Sequence, residues 1–533
     1  DAQVKALFNA QILGTPPNVD VFVKDIKYNI PINWQTHKLM EGTMPITITL
    51  SNAGIQNSNN FDFSLNLGEN TICSKSVNVP ALSSIDLTCN WQASKGFHQG
   101  FVELKILDDN NANNKQRIYI PFLDRPWFHF NLDEWNTDLK PYCQNTNNKV
   151  SFSSCDWMRH FGAFDGFTTN SDGNSVDPKG RTTRAAAMGC MYNGYNPSSI
   201  QCSLGLSQLK AWANTPVTTY DSVQAIHELA NVGIAFDIMF PIIDETTYND
   251  LARKYHNICQ QITNLDDSRP DLDNDAQIVG DNGKGFGAGM ATFCYSILGA
   301  YNQNPNLIQQ LDQQYWGKNI ADEWMDREKS YLRSYKNDAF AQYQEGSLYK
   351  NYAEPHLVEN LWFEKKYGLN DISNYQNALC AMGRESILNI LDSNYDGNVL
   401  RNNVNQKFRF LQRGDSYSYQ KMSDTGFVEE DLLLYEGLLC DDANIKSSLL
   451  WLRDKMYEVG DATITYPSSY LYKLLRNHVV PQNPQNLMPK VVFDNANDIL
   501  TIRPTYTYSS DVVIQIDGGE EKGGGHSQAQ GYY

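Results

Sequence analysis

Ile46-Thr47-Ile48-Thr49-Leu50-Ser51-Asn52-Ala53-Gly54 decides the fold class of the first part of the chain. Ile46, Ile48 and Leu50 alternate with threonines, the period of a strand with one buried face, and Ser51 to Gly54 is a cluster of turn formers. The pattern returns downstream, where Phe61, Phe63, Leu65 and Leu67 alternate with polar residues and stop at Gly68. From about residue 20 to 122, short alternating runs separated by turn clusters have the spacing of an immunoglobulin-like β-sandwich. Cys73 and Cys89 fall on neighbouring strand-like runs and would staple this domain if their α-carbons come within about 7 Å.

The chain has 533 residues, enough for several domains that each bury a core. Hydrophobic residues make up 41% and charged residues 20%, which excludes a disordered or collagen-like polymer. With 43 Lys+Arg against 61 Asp+Glu, the net charge of -18 repels phosphate backbones, so no nucleic-acid partner is expected. An anionic glycan would need a local basic groove for the same reason. No apolar run reaches the roughly 18 residues of a membrane span. The sequence begins at Asp1 without an initiator Met or a signal-like stretch and reads as a processed form. Its ten cysteines contain no CxxC pair, so extracellular or cell-surface disulfides are expected ahead of a zinc site. Every Asn lacks the x-Ser/Thr acceptor context, the nearest being Asn196, which Pro197 spoils.

Residues 1–19 form an N-terminal segment, and about 123–200 is aromatic but aperiodic, predicting irregular connecting structure. Helical periodicity then takes over. Asp221 and Gln224 make a capping-box-like start, followed by Ile226, Leu229, Ala230, Gly233, Ile234 and Asp237. Further helices are predicted from about 246 and over 287–301, 319–335, 352–367 (closed by Gly368), 373–392, 428–440 and 444–459, with no strand between them. The helical block therefore runs from 123 to 488 with its irregular entry. From 489 to 533 period two returns in Val491, Phe493, Leu500, Ile502, Val512, Ile514 and Ile516. Three or four strands are too few to close a sandwich, so this domain is expected to be completed by a C-terminal remainder or a partner chain.

Two resemblances follow from particular residues. Residues 20–122 resemble the cell-adhesion-related domain family of bacteria and archaea through Ile46 to Gly54, the Val79-Pro80-Ala81-Leu82 turn, Cys89-Asn90-Trp91 and Asp108-Asp109-Asn110-Asn111. Such modules are spacers or adhesion elements. Residues 200–533 resemble the heparinase II/III-like polysaccharide lyases in the order and spacing of four pieces. These are Val232 to Asp237 with Pro241, Asp281-Asn282, Glu345-Gly346-Ser347-Leu348-Tyr349 with Tyr352, and Gly524-Gly525-His526-Ser527-Gln528. This second resemblance implies an α/α toroid followed by an antiparallel β-sandwich, with the active cleft between them.

It also implies β-elimination at a uronic acid. A base takes the proton on carbon 5, a neutral or cationic donor stabilises the charge that develops on the carboxylate, and an acid protonates the leaving oxygen. By resemblance, Asn282 faces the carboxylate, Tyr349 serves as base and acid, and His526 shares proton transfer or binds substrate. Tyr352, Lys284, Arg413 and Gln528 are the substrate-binding candidates. Tyr352 is as well placed as Tyr349, one helical turn away. Many family members carry a histidine directly after the asparagine, where this chain has Gly283 and Lys284. Gln528 stands where zinc-binding members have a second histidine, so zinc is not implied.

Asp392-Ser393-Asn394-Tyr395-Asp396-Gly397 matches the start of a calcium loop, with oxygen ligands at Asp392, Asn394 and Asp396, but position 12 is Asn403 rather than a carboxylate. No cofactor is required by the elimination chemistry. Arg181, Arg184, Lys284, Arg384, Arg409 and Arg413 are scattered and read as solvated charge. The expected partner is an acidic polysaccharide or cell-surface glycan. A rival reading is a non-catalytic structural or adhesion protein on the same fold. Glycoside hydrolysis would need two carboxylates about 5–10 Å apart, for which nothing in the spacing selects Glu345 and Asp415.

Overall fold

Alternation along residues 21–122 is realised as two antiparallel sheets. The computed structural model describes residues 17–128, 130–141, 181–214, 223–254, 292–293, 295–296, 332–333, 347–369, 371–392, 400–401, 404–405, 408–410, 430–458, 468–494, 499–507 and 512–517. The strands are β1 (Val21–Tyr28), β2 (Ile32–Asn33), β3 (Lys38–Leu39), β4 (Gly42–Asn52), β5 (Phe61–Leu67), β6 (Asn70–Val77), β7 (Ser84–Ala93), β8 (Gly96–Lys105) and β9 (Lys115–Phe122). One sheet has the order β1-β4-β7, the other β6-β5-β8-β9, and β2 and β3 pair as a separate small hairpin. Met44, Ile46, Ile48 and Leu50 on β4 and Phe61, Phe63, Leu65 and Leu67 on β5 are all buried, as their alternation predicts. The links between the sheets include the Cys73–Cys89 disulfide from β6 to β7, with α-carbons 5.7 Å apart, the Lys75 ammonium, which donates to the Thr88 carbonyl, and the Tyr28 hydroxyl, which donates to the Tyr119 carbonyl at 2.7 Å.

Asn52, at the end of the deciding stretch, is buried and uses its whole amide. Its Oδ1 accepts from the backbone N–H of Asp20 and Gly54, and its Nδ2 donates to the carbonyls of Gln56 and Val79. A side chain that local bonds would otherwise draw into a turn thus holds three loops at one end of the sandwich. Gly54 beside it lies against Asn18 and Val19 so closely that a Cβ would strike their backbone.

The chain forms two compact units, the first of Asp1–Arg125, Phe240–Gln261 and Ile297–Glu323, the second of Pro126–Met239, Ile262–Ser296 and Trp324–Tyr533. In the first, the β2–β3 hairpin presents Trp34 and His37 to Phe240 and Tyr248, the Trp34 and Tyr248 rings lying 5.1 Å apart.

The longer described helices of the second unit are α1 (Arg181–Tyr192), α2 (Ile200–Asn214), α3 (Val223–Met239), α4 (Ser347–Tyr367), α5 (Gln376–Asn389), α6 (Glu430–Leu439), α7 (Ala443–Glu458) and α8 (Ser468–Arg476). Helix α1 packs on α2 and α3, while α6 is surrounded by α4, α5, α7 and α8. Helix α1 corrects the expectation of irregular structure over 123–200. Ala185, Ala186, Ala187, Met188, Cys190 and Met191 are all buried, so a helix covered on every side leaves no 3.6-residue alternation to read. Gly368, at φ +63°, closes α4 as expected.

The uninterrupted helical block is corrected as well. The helix predicted over 373–392 ends at Asn389, and β10 (Ile390–Asp392), β11 (Leu400–Arg401), β12 (Val404–Asn405) and β13 (Phe408–Phe410) follow, β10 pairing with β13 and β11 with β12. Disulfides Cys190–Cys202 and Cys380–Cys440 lie in this unit, the latter closing a separation of 60 residues.

Strands β14 (Val491–Asp494), β15 (Ile499–Ile502) and β16 (Ile514–Asp517) form the C-terminal antiparallel sheet. Period two holds, but the face it marks is the outer one: Val491, Phe493, Ile514 and Ile516 are 57%, 54%, 44% and 39% exposed. The inner face carries Val492, Asp494, Ile499 and Thr501. Arg503, just beyond β15, is fully buried and donates to the carbonyls of Ile387, Leu388 and Ile390 at the C-terminal end of α5.

Candidate functional site

Helix α4 is where the candidate residues and an unusual chemistry meet. Its middle is buried on all sides, yet Glu354, His356, Glu359, Asn360 and Glu364 lie among its apolar residues. Burying such groups costs several kcal/mol each unless partners compensate. Those partners come from three neighbours. The Arg184 guanidinium on α1 donates through Nη1 to Asn231 Oδ1 on α3 at 3.2 Å and through Nη2 to Glu359 Oε1 at 3.0 Å. Glu359 Oε2 lies 3.3 Å from His356 Nδ1. Thr292 donates to Asn360 Oδ1 at 2.9 Å, and the Tyr295 hydroxyl donates to Glu364 Oε1 at 2.7 Å.

The C-terminal half of α4 is anchored differently. Phe363 stacks on Phe128 and Tyr295, with centroids at 5.1 and 5.3 Å, and the Tyr367 hydroxyl donates to the Trp127 carbonyl. Lys366 pairs with Glu134 at 2.9 Å; burial lowers the lysine pKa, against the opposing pull of Glu134 and Asp237. Asp237, within the Val232 to Asp237 piece, accepts the N–H groups of Trp127 and Phe128 through Oδ2 at 2.9 and 3.0 Å. That motif aspartate therefore fixes the chain entering the helical body.

Tyr349 and Tyr352 stand on the first two turns of α4. They share one stripe of the helix with His356 and Glu359, because 349, 352, 356 and 359 are separated by three, four and three residues. Asn282, Lys284, Arg413, His526 and Gln528 lie outside the described residues. Asp392 ends strand β10, while Asn394 and Asp396 lie outside the described residues. The segment carrying the calcium-loop match runs between strands, where an EF-hand places helices. Among the described residues, no group of three or more His, Cys, Asp or Glu is placed to hold a metal ion.

Arg184 corrects a further expectation. It is a part-buried partner of Glu359 rather than solvated charge. His356 and Glu359 were not singled out by sequence, although charged residues recurring inside a helical run were a signal that this helix buries polar groups. A separate groove of about 430 Å³ lies between Arg384, Asp442, Ile445, Met488 and the outer residues Val491 and Phe493. Burial lowers the Arg384 pKa, and Asp442 opposes that shift.

The fold is thus a β-sheet module of immunoglobulin-like build, a helical middle and a C-terminal antiparallel sheet. No family model matches the sequence, and no curated protein matches it. Among solved structures, the CARDB domain of a Pyrococcus furiosus protein, determined in complex with di-metal ions, is similar to 19% of this chain and 92% of that chain, at 14% identity and a TM-score of 0.17.

Proposed function

We propose that this chain is an extracellular polysaccharide lyase-like protein that cleaves a uronic-acid-containing glycan by β-elimination. The observation that carries the reading is the buried Arg184–Glu359–His356 cluster on the stripe of α4 that begins with Tyr349. A helix that buries ion-paired groups and follows a Glu-Gly-x-x-Tyr sequence is suited to ionisable chemistry. The helical middle followed by a C-terminal antiparallel sheet fits the toroid-and-sandwich arrangement of such enzymes. The apolar outer face of that sheet fits completion by further strands. Three disulfides fit an oxidising, extracellular setting.

In this reading a tyrosine oxygen takes the carbon-5 proton, and the C–H electron pair becomes the C4–C5 double bond. The C4–O4 pair leaves with the oxygen, which takes a proton back from the phenol. Asn282 stabilises the carboxylate as charge builds, His526 assists proton transfer, and Tyr352, Lys284, Arg413 and Gln528 hold the sugar. The elimination requires no cofactor, and calcium at Asp392, Asn394 and Asp396 would be structural. A second reading, a non-catalytic cell-surface structural protein, is favoured by the N-terminal sandwich, whose small, stapled form suits a spacer.

The test is absorbance near about 230 nm, where the unsaturated uronate product absorbs, during incubation with heparan sulfate, hyaluronan, alginate and pectin. A rise with one polymer supports the lyase. A flat trace with all four leaves the structural reading.

A further inference from the structure

We propose that Pro355 is a hinge in α4, dividing it into a far half fixed in the helical body and an entry half, residues 347–354, that moves against it. The inference stands on the α4 backbone and takes from the lyase reading only the glycan on which the entry half closes. Helix α4 runs from Ser347 to Tyr367, and Pro355 stands at the ninth of its 21 residues, well past the first turn where proline fits. A proline nitrogen carries no hydrogen, so the Asn351 carbonyl four residues back receives no N–H from position 355. The ring also crowds that carbonyl, and the helix lacks a rung where its halves meet.

The far half is held from several directions. Glu359 meets Arg184 of α1 at 3.0 Å, Thr292 donates to Asn360 at 2.9 Å and the Tyr295 hydroxyl to Glu364 at 2.7 Å. Lys366 pairs with Glu134, and the Tyr367 hydroxyl donates to the Trp127 carbonyl. Leu357, Val358, Leu361 and Phe363 are buried as well, so this half cannot turn without breaking buried bonds. The entry half has a different composition: Ser347, Tyr349, Lys350, Asn351 and Tyr352 leave Leu348 and Ala353 as its aliphatic residues. Its eight residues fall below the roughly 12–15 that an isolated helix needs, so its order depends on continuity with the far half, and that continuity is what Pro355 interrupts. A few residues that absorb a change of backbone angle suffice for a hinge. The position is costly for stability, since any ordinary helix former would serve packing better there, and such departures gather where function needs them. Tyr349 and Tyr352 both stand on the entry half, so the hinge moves the candidate phenols together while the Arg184–Glu359 pair stays in place. Pro355 is a positioning residue.

The experiment is hydrogen exchange, read by mass spectrometry on peptides covering 348–354 and 357–367, in the 533-residue chain and in Pro355→Ala. In the parent, 348–354 should exchange at least about 10-fold faster than 357–367, at a rate indifferent to urea below the unfolding transition, because a local opening exposes little surface. Exchange over 357–367 should rise with urea. Pro355→Ala should slow 348–354 about 100-fold, the factor to which proline's helix cost of about 3 kcal/mol converts at about 1.4 kcal/mol per decade, and leave 357–367 as in the parent. With the polymer that the parent cleaves, the same variant should lower kcat about 10-fold with KM little changed, since the entry half can no longer close. Equal exchange in the two halves of the parent overturns the hinge and leaves the lyase intact, and the parent's urea series decides this even if the variant fails to fold. Exchange over 348–354 that alanine does not slow overturns it too, and slowed exchange with unchanged kcat overturns its part in turnover. If no polymer is cleaved but exchange divides at Pro355, the lyase reading fails and the hinge stands.

Discussion

Replacing Arg503 tests how the C-terminal sheet is tied to the helical body. Its guanidinium Nη1 sits 2.8, 2.8 and 2.9 Å from the carbonyls of Ile387, Leu388 and Ile390, and Nε reaches the Thr505 carbonyl at 3.3 Å. These are end carbonyls of α5, without helical partners of their own, where a cation is also favoured by the helix dipole. Ile387, Leu388 and Ile390 are 0%, 1% and 0% exposed, so water cannot take over when the arginine is removed. Arg503→Met keeps much of the stem but leaves up to three buried acceptors. At about 1–3 kcal/mol for each unsatisfied group, reduced by relaxation and by the avoided burial of a charge, the expected loss is about 4 kcal/mol. Arg503→Lys keeps the charge on a single nitrogen and should lose about 2 kcal/mol. Urea unfolding gives the totals, and hydrogen exchange on peptides covering 376–390 and 499–506 shows whether the loosening is local. A loss below about 1 kcal/mol for Arg503→Met, or exchange unchanged at the end of α5, would refute the view that this side chain caps the helix.

Asn52→Ala should destabilise the sandwich by about 2 kcal/mol, because the buried Gly54 N–H loses its acceptor while the Val79 carbonyl keeps only the Ser58 N–H, and amide exchange along β4 should rise accordingly. Removing Cys380–Cys440 by paired serine substitution should lower stability by about 4 kcal/mol on loop-entropy grounds, against about 3 for Cys190–Cys202, in denaturant titrations of the two variants. Asp25 has a pKa raised by burial, only partly offset by Lys27. Its folded form therefore binds a proton more tightly than the unfolded chain, and stability falls as pH rises from the ordinary carboxylate value through the raised one. Asp25→Asn should accordingly melt higher than the parent at neutral pH, with the gap closing in acid. Calcium in place of chelator should leave the melting temperature unchanged, since Asn403 replaces the bidentate carboxylate and strands flank the loop; a calcium-dependent rise would establish the site at Asp392.

What was legible in the sequence followed from how surfaces are divided. The sandwich strands bury one face and show another, so Ile46, Ile48 and Leu50 declare themselves, and α4 announces its end in Gly368. Helix α1 was invisible because it is buried all round and its alanines make no contrast. The strand pair after α5 was missed because Ile390 and Leu391 continue the apolar register of the helix. The outward face of the C-terminal sheet was not legible because alternation gives the period of a strand but not which side meets protein. Cys380 and Cys440 could not be paired, since helix packing, not local spacing, brings their α-carbons to 4.7 Å. Tyr349 and Tyr352 were legible from motif order, but the buried polar groups further along α4 were not, because Arg184 reaches Glu359 across 175 residues.

The middle of α4 departs furthest from simple apolar packing. A helix needed only for packing would carry through its length the kind of anchorage seen at its C-terminal half, where Phe363, Tyr295 and Phe128 stack and Tyr367 bonds to the Trp127 backbone. Along its middle, from Glu354 to Glu364, the same helix gives up that economy for a histidine and glutamates. The compensating Arg184 and Asn231 come from two other helices, so three separate elements must agree on one charge arrangement. Apolar residues of similar volume would be no less stable there, and often more so. The buried polar groups run from Glu354 to Glu364 and overlap the aromatic clamp, since Tyr295 both stacks on Phe363 and donates to Glu364. Structures break such rules chiefly where function needs it, and on α4 that argument selects the buried middle of the helix.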